Sequence, residues 1–118
     1  LPETLLAMEQ ASAFDPHRII ARIDADLIDL VPEYIENRRK DVLAILDALG
    51  RRDMESVWII GHSMKGSGGG YGFHTVSEVG AALEEAAKVS DGDAVSRALA
   101  RLQDYLARVE VVCEPDPE

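Results

Sequence analysis

Apolar side chains recur every three or four residues through most of the chain, which is the spacing of one face of an α-helix. We predict four helices, at about 32–49, 53–69, 75–88 and 93–112. Gly50 ends the first, the capping-box sequence Thr75–Glu78 opens the third, and Asp91 or Asp93 caps the last. In the third helix the side chains expected to point outward are Glu84, Glu85 and Lys88. No strand pattern is visible, so amphipathic helices with short connections predict an antiparallel four-helix bundle.

The two ends of the chain differ from this central pattern. Asp15-Pro16 is typical of a helix start and Asp24 offers a second one, so we predict an additional N-terminal helical segment. Pro32 disfavours helical geometry at Val31, so we expect a break or kink there. The end of the chain from Cys113 is acidic and contains two prolines, which favours disorder. The sequence therefore predicts an all-α chain in three parts: a lead-in segment at 1–23, the bundle at 24–112 and a disordered acidic tail at 113–118.

Charge and cysteine content restrict the kind of partner. The 118 residues carry a formal net charge of −10, which is the wrong sign for binding nucleic acid or an anionic membrane. The single cysteine, Cys113, can form no internal disulfide and fits a reducing compartment. No apolar run approaches the ~18 residues of a membrane span, and no signal segment opens the chain. We expect a cytoplasmic monomer whose partners are proteins.

Residues 59–73 combine a histidine with glycines that helix stability does not explain. Four residues of this stretch share one helical face: His62, Lys65, Gly66 and Gly69. Each glycine inside a helix costs about 0.8–1 kcal/mol relative to alanine, so another requirement must outweigh that cost. Close approach of a protein partner to an exposed imidazole would be such a requirement. Packing against another helix is the alternative, plausible for Gly68 and poor for Gly66.

An exposed, neutral His62 imidazole is a nucleophile that could attack a phosphoryl group, and Lys65 could neutralise the phosphoryl oxygens. Trp58 lies one turn earlier on the same face, where it and Ile59 would anchor a docking partner. Packing of Trp58 into the seam against helix 32–49 is an equally good alternative. Arg38 belongs to the one concentrated basic run of the chain, which we predict to flank the docking surface.

The run His62-Ser63-Met64-Lys65-Gly66-Ser67, closed by Gly72 and Phe73, resembles the histidine phosphotransfer (HPt) domains of bacterial phosphorelays. It is also similar to the phosphoryl-accepting domain of chemotaxis histidine kinases, and the resemblance covers about Asp24 to Arg108. It implies a four-helix bundle whose exposed histidine accepts and donates a phosphoryl group through Nε2. The implied partners are the receiver domain of a response regulator and a sensor or hybrid histidine kinase. The receiver would supply both the aspartate and Mg²⁺, so this chain would bind no cofactor of its own.

The sequence contains no phosphate-binding loop, which agrees with a phosphoryl carrier that lacks kinase or ATPase activity of its own. A shuttle between receivers, or the terminal module of a relay protein, is preferred to a kinase module because no ATP-binding domain accompanies the histidine. The alternative from another class is a non-catalytic helical adaptor that docks a partner through its glycine-bearing face. The spacing of His17, His62 and His74 gives no support for a metal site.

Overall fold

The computed structural model describes residues 18–114 and contains four helices joined by short turns. The elements are strand β1 (Ile19–Asp24), a 3-10 turn (Ile28–Leu30), helices α1 (Val31–Gly50), α2 (Met54–Tyr71), α3 (His74–Lys88) and α4 (Gly92–Arg108), and strand β2 (Val109–Glu114). Each helix packs against the next, and α1 also packs against α4. The predicted bundle of four helices is therefore confirmed, whereas a two-stranded sheet is present that was not predicted.

Capping residues fix where two of the helices begin. The carboxylate of Asp53 accepts a hydrogen bond from the Ser56 N–H at the start of α2. Asp91 caps α4 in the same way through the Ala94 N–H, which decides between the two predicted candidates, Asp91 and Asp93. The predicted capping box at Thr75 is wrong, because α3 already begins at His74 and its N-cap residue makes no side-chain cap.

A tight turn between α2 and α3 accounts for that early start. Gly72 ends α2 in the left-handed conformation, with φ of 100°, which favours glycine. The N–H of Phe73 then bonds back to the carbonyl of Gly68 at 2.8 Å. Only these two residues separate the helices, so Phe73 takes the N-cap position of α3, and its side chain has no atom that could accept a hydrogen bond.

The core lies between the four helices, whose apolar stripes form it together with Ile23 of β1 and Phe73 of the turn between α2 and α3. Its largest fully buried side chains are Phe73, Ile23, Ile45, Met64, Leu83, Leu99 and Leu102. The Tyr34 ring on α1 stacks on Tyr71 and Phe73, with centroid distances of 4.3 and 5.3 Å. These contacts tie the end of α2 to α1, as expected for aromatic residues that pack into the bundle.

β1 and β2 pair in parallel, in a register that runs from Ile19 opposite Val109 to Asp24 opposite Glu114. Ala21 and Ile23 are buried while the residues beside them are exposed, which is the period of two expected for a strand. The predicted N-terminal helix is therefore wrong for residues 19–24. Its remaining part, including Asp15-Pro16, lies at 1–17, outside the described residues.

The predicted last helix is too long, because α4 ends at Arg108 and β2 follows at once. Val109 continues the helical spacing of α4, but the valines at 109, 111 and 112 are β-branched and favour a strand where a partner strand is available. Cys113 and Glu114 belong to β2 and not to a disordered tail. Residues 115–118 lie outside the described range, and the division of the chain into three parts stays a prediction.

Candidate functional site

Glycines bring the backbones of α2 and α3 unusually close behind the histidine. A Cβ atom on Gly61 would lie 2.8 Å from the Leu83 Cβ, and one on Gly68 would lie 2.6 Å from the Ser77 nitrogen. Gly80 on α3 is pressed in the same way against the backbone of α2 at Gly61 and Lys65. These three glycines, Gly61, Gly68 and Gly80, therefore serve helix packing, and they place the last turns of α3 beside His62.

His62 lies in the middle of α2 with 63% of its side chain exposed. Its Nδ1 is 2.6 Å from Oε1 of Glu84, which α3 supplies. A carboxylate can only accept hydrogen bonds, so the proton of the neutral imidazole lies on Nδ1. The lone pair is then on Nε2, the same nitrogen that the sequence resemblance implied.

Glu84 is the one charged side chain of the described residues that is buried, with 6% of the residue exposed. The hydrogen bond from His62 holds the pKa of Glu84 below its ordinary value, with further help from Lys65 and against the effect of burial. Lys65 Nζ lies 3.2 Å from Oε2 of the same carboxylate. Glu84 thus positions both the imidazole and the ammonium group as an ionised carboxylate at neutral pH.

The prediction that Glu84 points outward is wrong, and the sequence did contain a signal against it. Glu84 follows Leu83 directly and lies four residues after Gly80, so it belongs to the buried stripe of α3. A carboxylate on a stripe of apolar and small residues needs a partner, since burying an unpaired charge is costly. Only the packing of α3 on α2 identifies that partner as His62.

The indole of Trp58 stacks on the His62 imidazole, with ring centroids 4.9 Å apart and planes inclined by 7°. Trp58 is half-buried and packs against the core of the bundle on its other side. We predicted Trp58 to be either a docking anchor or a residue packed into the seam against helix 32–49, and neither interpretation included the contact with His62. The indole is part of the histidine site itself and is fixed there by the core.

Gly66, like Gly70, is a glycine inside α2 that no packing contact explains. Outside its own stretch of helix, no atom of the described residues lies within 4 Å of the position that the Gly66 Cβ would occupy. Gly69 has one such neighbour, the Ser77 hydroxyl, at 3.6 Å. Around these two glycines the surface carries the exposed side chains of Ile59 and His62 together with Lys65, and we call this surface the His62 face: Ile59, His62, Lys65, Gly66 and Gly69.

Ser77 on α3 stabilises the glycine-bearing end of α2. Its hydroxyl accepts from the Gly69 N–H at 2.9 Å and donates to the Lys65 carbonyl at 2.6 Å. The two backbone groups are one helical turn apart, so the serine bridges the helix and ties it to α3. Sequence reasoning missed this residue, because a serine inside a helix has no local signature of such a role.

A model of the Hpt domain family matches residues 25–111, a range that contains the four helices and every residue of the His62 face. The chain belongs to the Hpt domain family. Hpt domains carry out histidine phosphotransfer in two-component signalling and interact with kinases and receiver domains in phosphorelays. The family resemblance noted in the sequence is thereby confirmed. Searches among curated proteins and among solved structures returned no match.

Arg38 of this Hpt domain, which we predicted to flank the docking surface, is largely buried by its contacts within the bundle. Its side chain is only 12% exposed and pairs with Asp41 at 2.8 Å. The guanidinium also lies 4.5 Å from the centre of the Tyr34 ring and 3.4 Å from the Ser67 hydroxyl. The charge of Arg38 is therefore used in packing α1 against α2.

Two further findings concern metals and membranes. Within residues 18–114, no three His, Cys, Asp or Glu side chains come together in a way that could hold a metal ion, and His17 lies outside that range. Over the same residues, every helix is too short or too polar to span a bilayer.

Proposed function

We propose that His62 carries a phosphoryl group on Nε2, between the aspartates of receiver domains or from a sensor or hybrid histidine kinase to a response regulator. The observation that carries this proposal is the exposed imidazole whose Nδ1 is held 2.6 Å from the buried Glu84 carboxylate. That contact leaves Nε2 as the nucleophilic nitrogen and fixes the direction of its lone pair.

In the proposed reaction, the Nε2 lone pair attacks the phosphorus of an aspartyl phosphate. The bond between phosphorus and the aspartate oxygen breaks, and the aspartate leaves as a carboxylate. Nδ1 keeps its proton, so the imidazole ring becomes positively charged, and the Glu84 carboxylate offsets that charge. The reverse reaction returns the phosphoryl group to a second aspartate, which makes the chain a carrier without kinase or ATPase activity of its own.

Lys65 supports the reaction by supplying positive charge beside the histidine. Its side chain is 54% exposed, and the ion pair with Glu84 holds its ammonium group near the imidazole. Phosphoryl transfer depends mainly on positioning and on neutralising the phosphoryl oxygens, which is a suitable role for such a cation. Mg²⁺ would arrive with the receiver domain.

The receiver would dock on the His62 face. Ile59 is 54% exposed and provides an apolar contact, while the open backbone at Gly66 and Gly69 admits a partner loop close to the imidazole. We place the exchange in the cytoplasm and expect a monomer, because the lone Cys113 suits a reducing compartment and one copy presents the complete site.

The test is incubation with a phosphorylated receiver domain and Mg²⁺, followed by intact-mass measurement of the wild type, His62→Gln and His74→Gln. We expect one phosphoryl adduct on the wild type and on His74→Gln, lost in acid and stable in base, and none on His62→Gln. His74 is the matched control because it is also an exposed histidine. An adduct on His62→Gln would refute the assignment. Binding of receivers without any adduct would favour the adaptor alternative.

A further inference from the structure

We infer that Trp58 is a positioning residue for the phosphotransfer reaction, because its stacked indole orients the His62 ring and favours the ring's positively charged, phosphorylated state. This inference rests on the proposed function. It goes beyond a docking role for Trp58, since it concerns the chemistry of the imidazole before any partner binds.

Two contacts at right angles define the orientation of the imidazole. Glu84 holds the Nδ1 edge in the plane of the ring at 2.6 Å, and the Trp58 indole covers one face at a centroid distance of 4.9 Å and an angle of 7°. The Nε2 lone pair lies in the ring plane, so the indole does not block the attack. Trp58 therefore restricts rotation of the ring and shields one face from water without closing the reactive edge.

The indole also responds to the charge that the reaction creates. Since Nδ1 keeps its proton, phosphorylation at Nε2 turns a neutral ring into a cation lying flat on the face of a tryptophan. A cation over an indole face is attracted by the ring quadrupole, more strongly than over other aromatic rings. This attraction grows as the positive charge develops, so it lowers the barrier and stabilises the product.

The charged groups beside the ring are Glu84 from α3, which favours the cation, and Lys65 from α2, which opposes it. The indole adds to the effect of Glu84 without introducing a further charge. For a partly exposed pair of this kind we expect an effect of about two- to fivefold on the rate of phosphorylation.

A small phosphoryl donor separates this role from docking. With phosphoramidate, Nε2 attacks the phosphorus, the phosphorus–nitrogen bond breaks and ammonia leaves, so no protein surface is involved. We expect Trp58→Leu to be phosphorylated about two- to fivefold more slowly than the wild type and Trp58→Phe to retain most of the rate. Leu43→Ala is the matched control, because Leu43 is an exposed apolar residue of α1 outside the His62 face, and we expect it to keep the wild-type rate.

Tryptophan fluorescence gives a second measurement. If Trp58 only packed against the core, its emission would not change when His62 is phosphorylated. Trp58 is the only tryptophan of the chain, so its emission reports directly on the ring stacked against it. We expect the emission to change with the same time course as the phosphoryl adduct measured by mass, and to stay constant in His62→Gln.

Two results would overturn the inference. One is a folded Trp58→Leu that takes phosphate from phosphoramidate at the wild-type rate; if the same variant is slow with a phosphorylated receiver, Trp58 is a docking residue. The other is wild-type emission that does not change on phosphorylation, and this result decides even if Trp58→Leu fails to fold. A wild type that accepts no phosphoryl group from either donor would instead refute the proposed function.

Discussion

Substitutions at Gly66 provide the sharpest test of why the His62 face contains glycines and not larger residues. The position lies inside α2, and outside its own stretch of helix no described atom is within 4 Å of where a Cβ would lie. Gly66→Ala should therefore remove the helix cost of glycine without a clash and stabilise the protein by about 0.8–1 kcal/mol. For a domain of this size that gain corresponds to a rise in melting temperature of about 4 °C.

Gly68→Ala and Gly80→Ala are the matched controls, since both replace a helical glycine by the same residue. A Cβ on Gly68 would lie 2.6 Å from the Ser77 nitrogen, and Gly80 faces the backbone of α2 at similarly close range. The helices would have to separate, which we expect to cost about 1–3 kcal/mol. Thermal unfolding followed by circular dichroism should show shifts of opposite sign for Gly66 and for these two glycines.

A larger side chain at Gly66 tests whether the open backbone there allows a receiver to approach His62 closely. Gly66→Leu should stay folded and accept phosphate from phosphoramidate at the normal rate, because the Cβ position at Gly66 is open. Transfer from a phosphorylated receiver should slow by about tenfold or more, equivalent to at least ~1.4 kcal/mol of lost docking. Normal transfer by Gly66→Leu would refute the close-approach argument, and an unstabilised Gly66→Ala would refute the energetic one.

Three further predictions concern stability measured by urea unfolding. Ile23→Ala should cost about 2–4 kcal/mol because Ile23 is fully buried in β1, whereas Ile20→Ala, 46% exposed, should cost below ~1 kcal/mol; equal losses would argue against the strand. Glu84→Gln should destabilise at pH 7, and the difference should vanish in acid, because the stability that comes from the lowered pKa of Glu84 is fully present above its ordinary value of 4.5 and is lost as the pH falls below that value and through the lowered one. Burial raises the pKa of Tyr105 from 10 to about 12, so stability should fall between those pH values, and Tyr105→Phe should reduce the fall.

Local sequence information was sufficient for the four helices and for the geometry of one helical face. The spacing of apolar residues predicted α1 to α4, and the sequence located two helix starts to within two residues of Asp53 and Asp91, because capping involves neighbouring residues only. The common face of His62, Lys65 and Gly66 follows from 3.6 residues per turn. None of these features requires knowledge of what packs against what.

The sheet was decided by tertiary structure. Val109 fits the helical spacing of α4 as well as it fits a strand, and residues 19–24 offer alternation over six residues only. What selects the strand in both cases is the other segment, which lies at the opposite end of the described chain. A strand far from its partner in sequence has a weak local signal, because its hydrogen bonds are made across the fold.

The part of the site that lies between α2 and α3 was also decided by tertiary structure, through the packing of the two helices. The sequence by itself determined an exposed histidine with a lysine and glycines on one helical face. It did not determine that Glu84, 22 residues away, would hold Nδ1 of His62, or that Gly66 would be open while Gly68 is closed. Both properties depend on the separation between α2 and α3. The glycines of the two helices set that separation, because they let the two backbones pack closely.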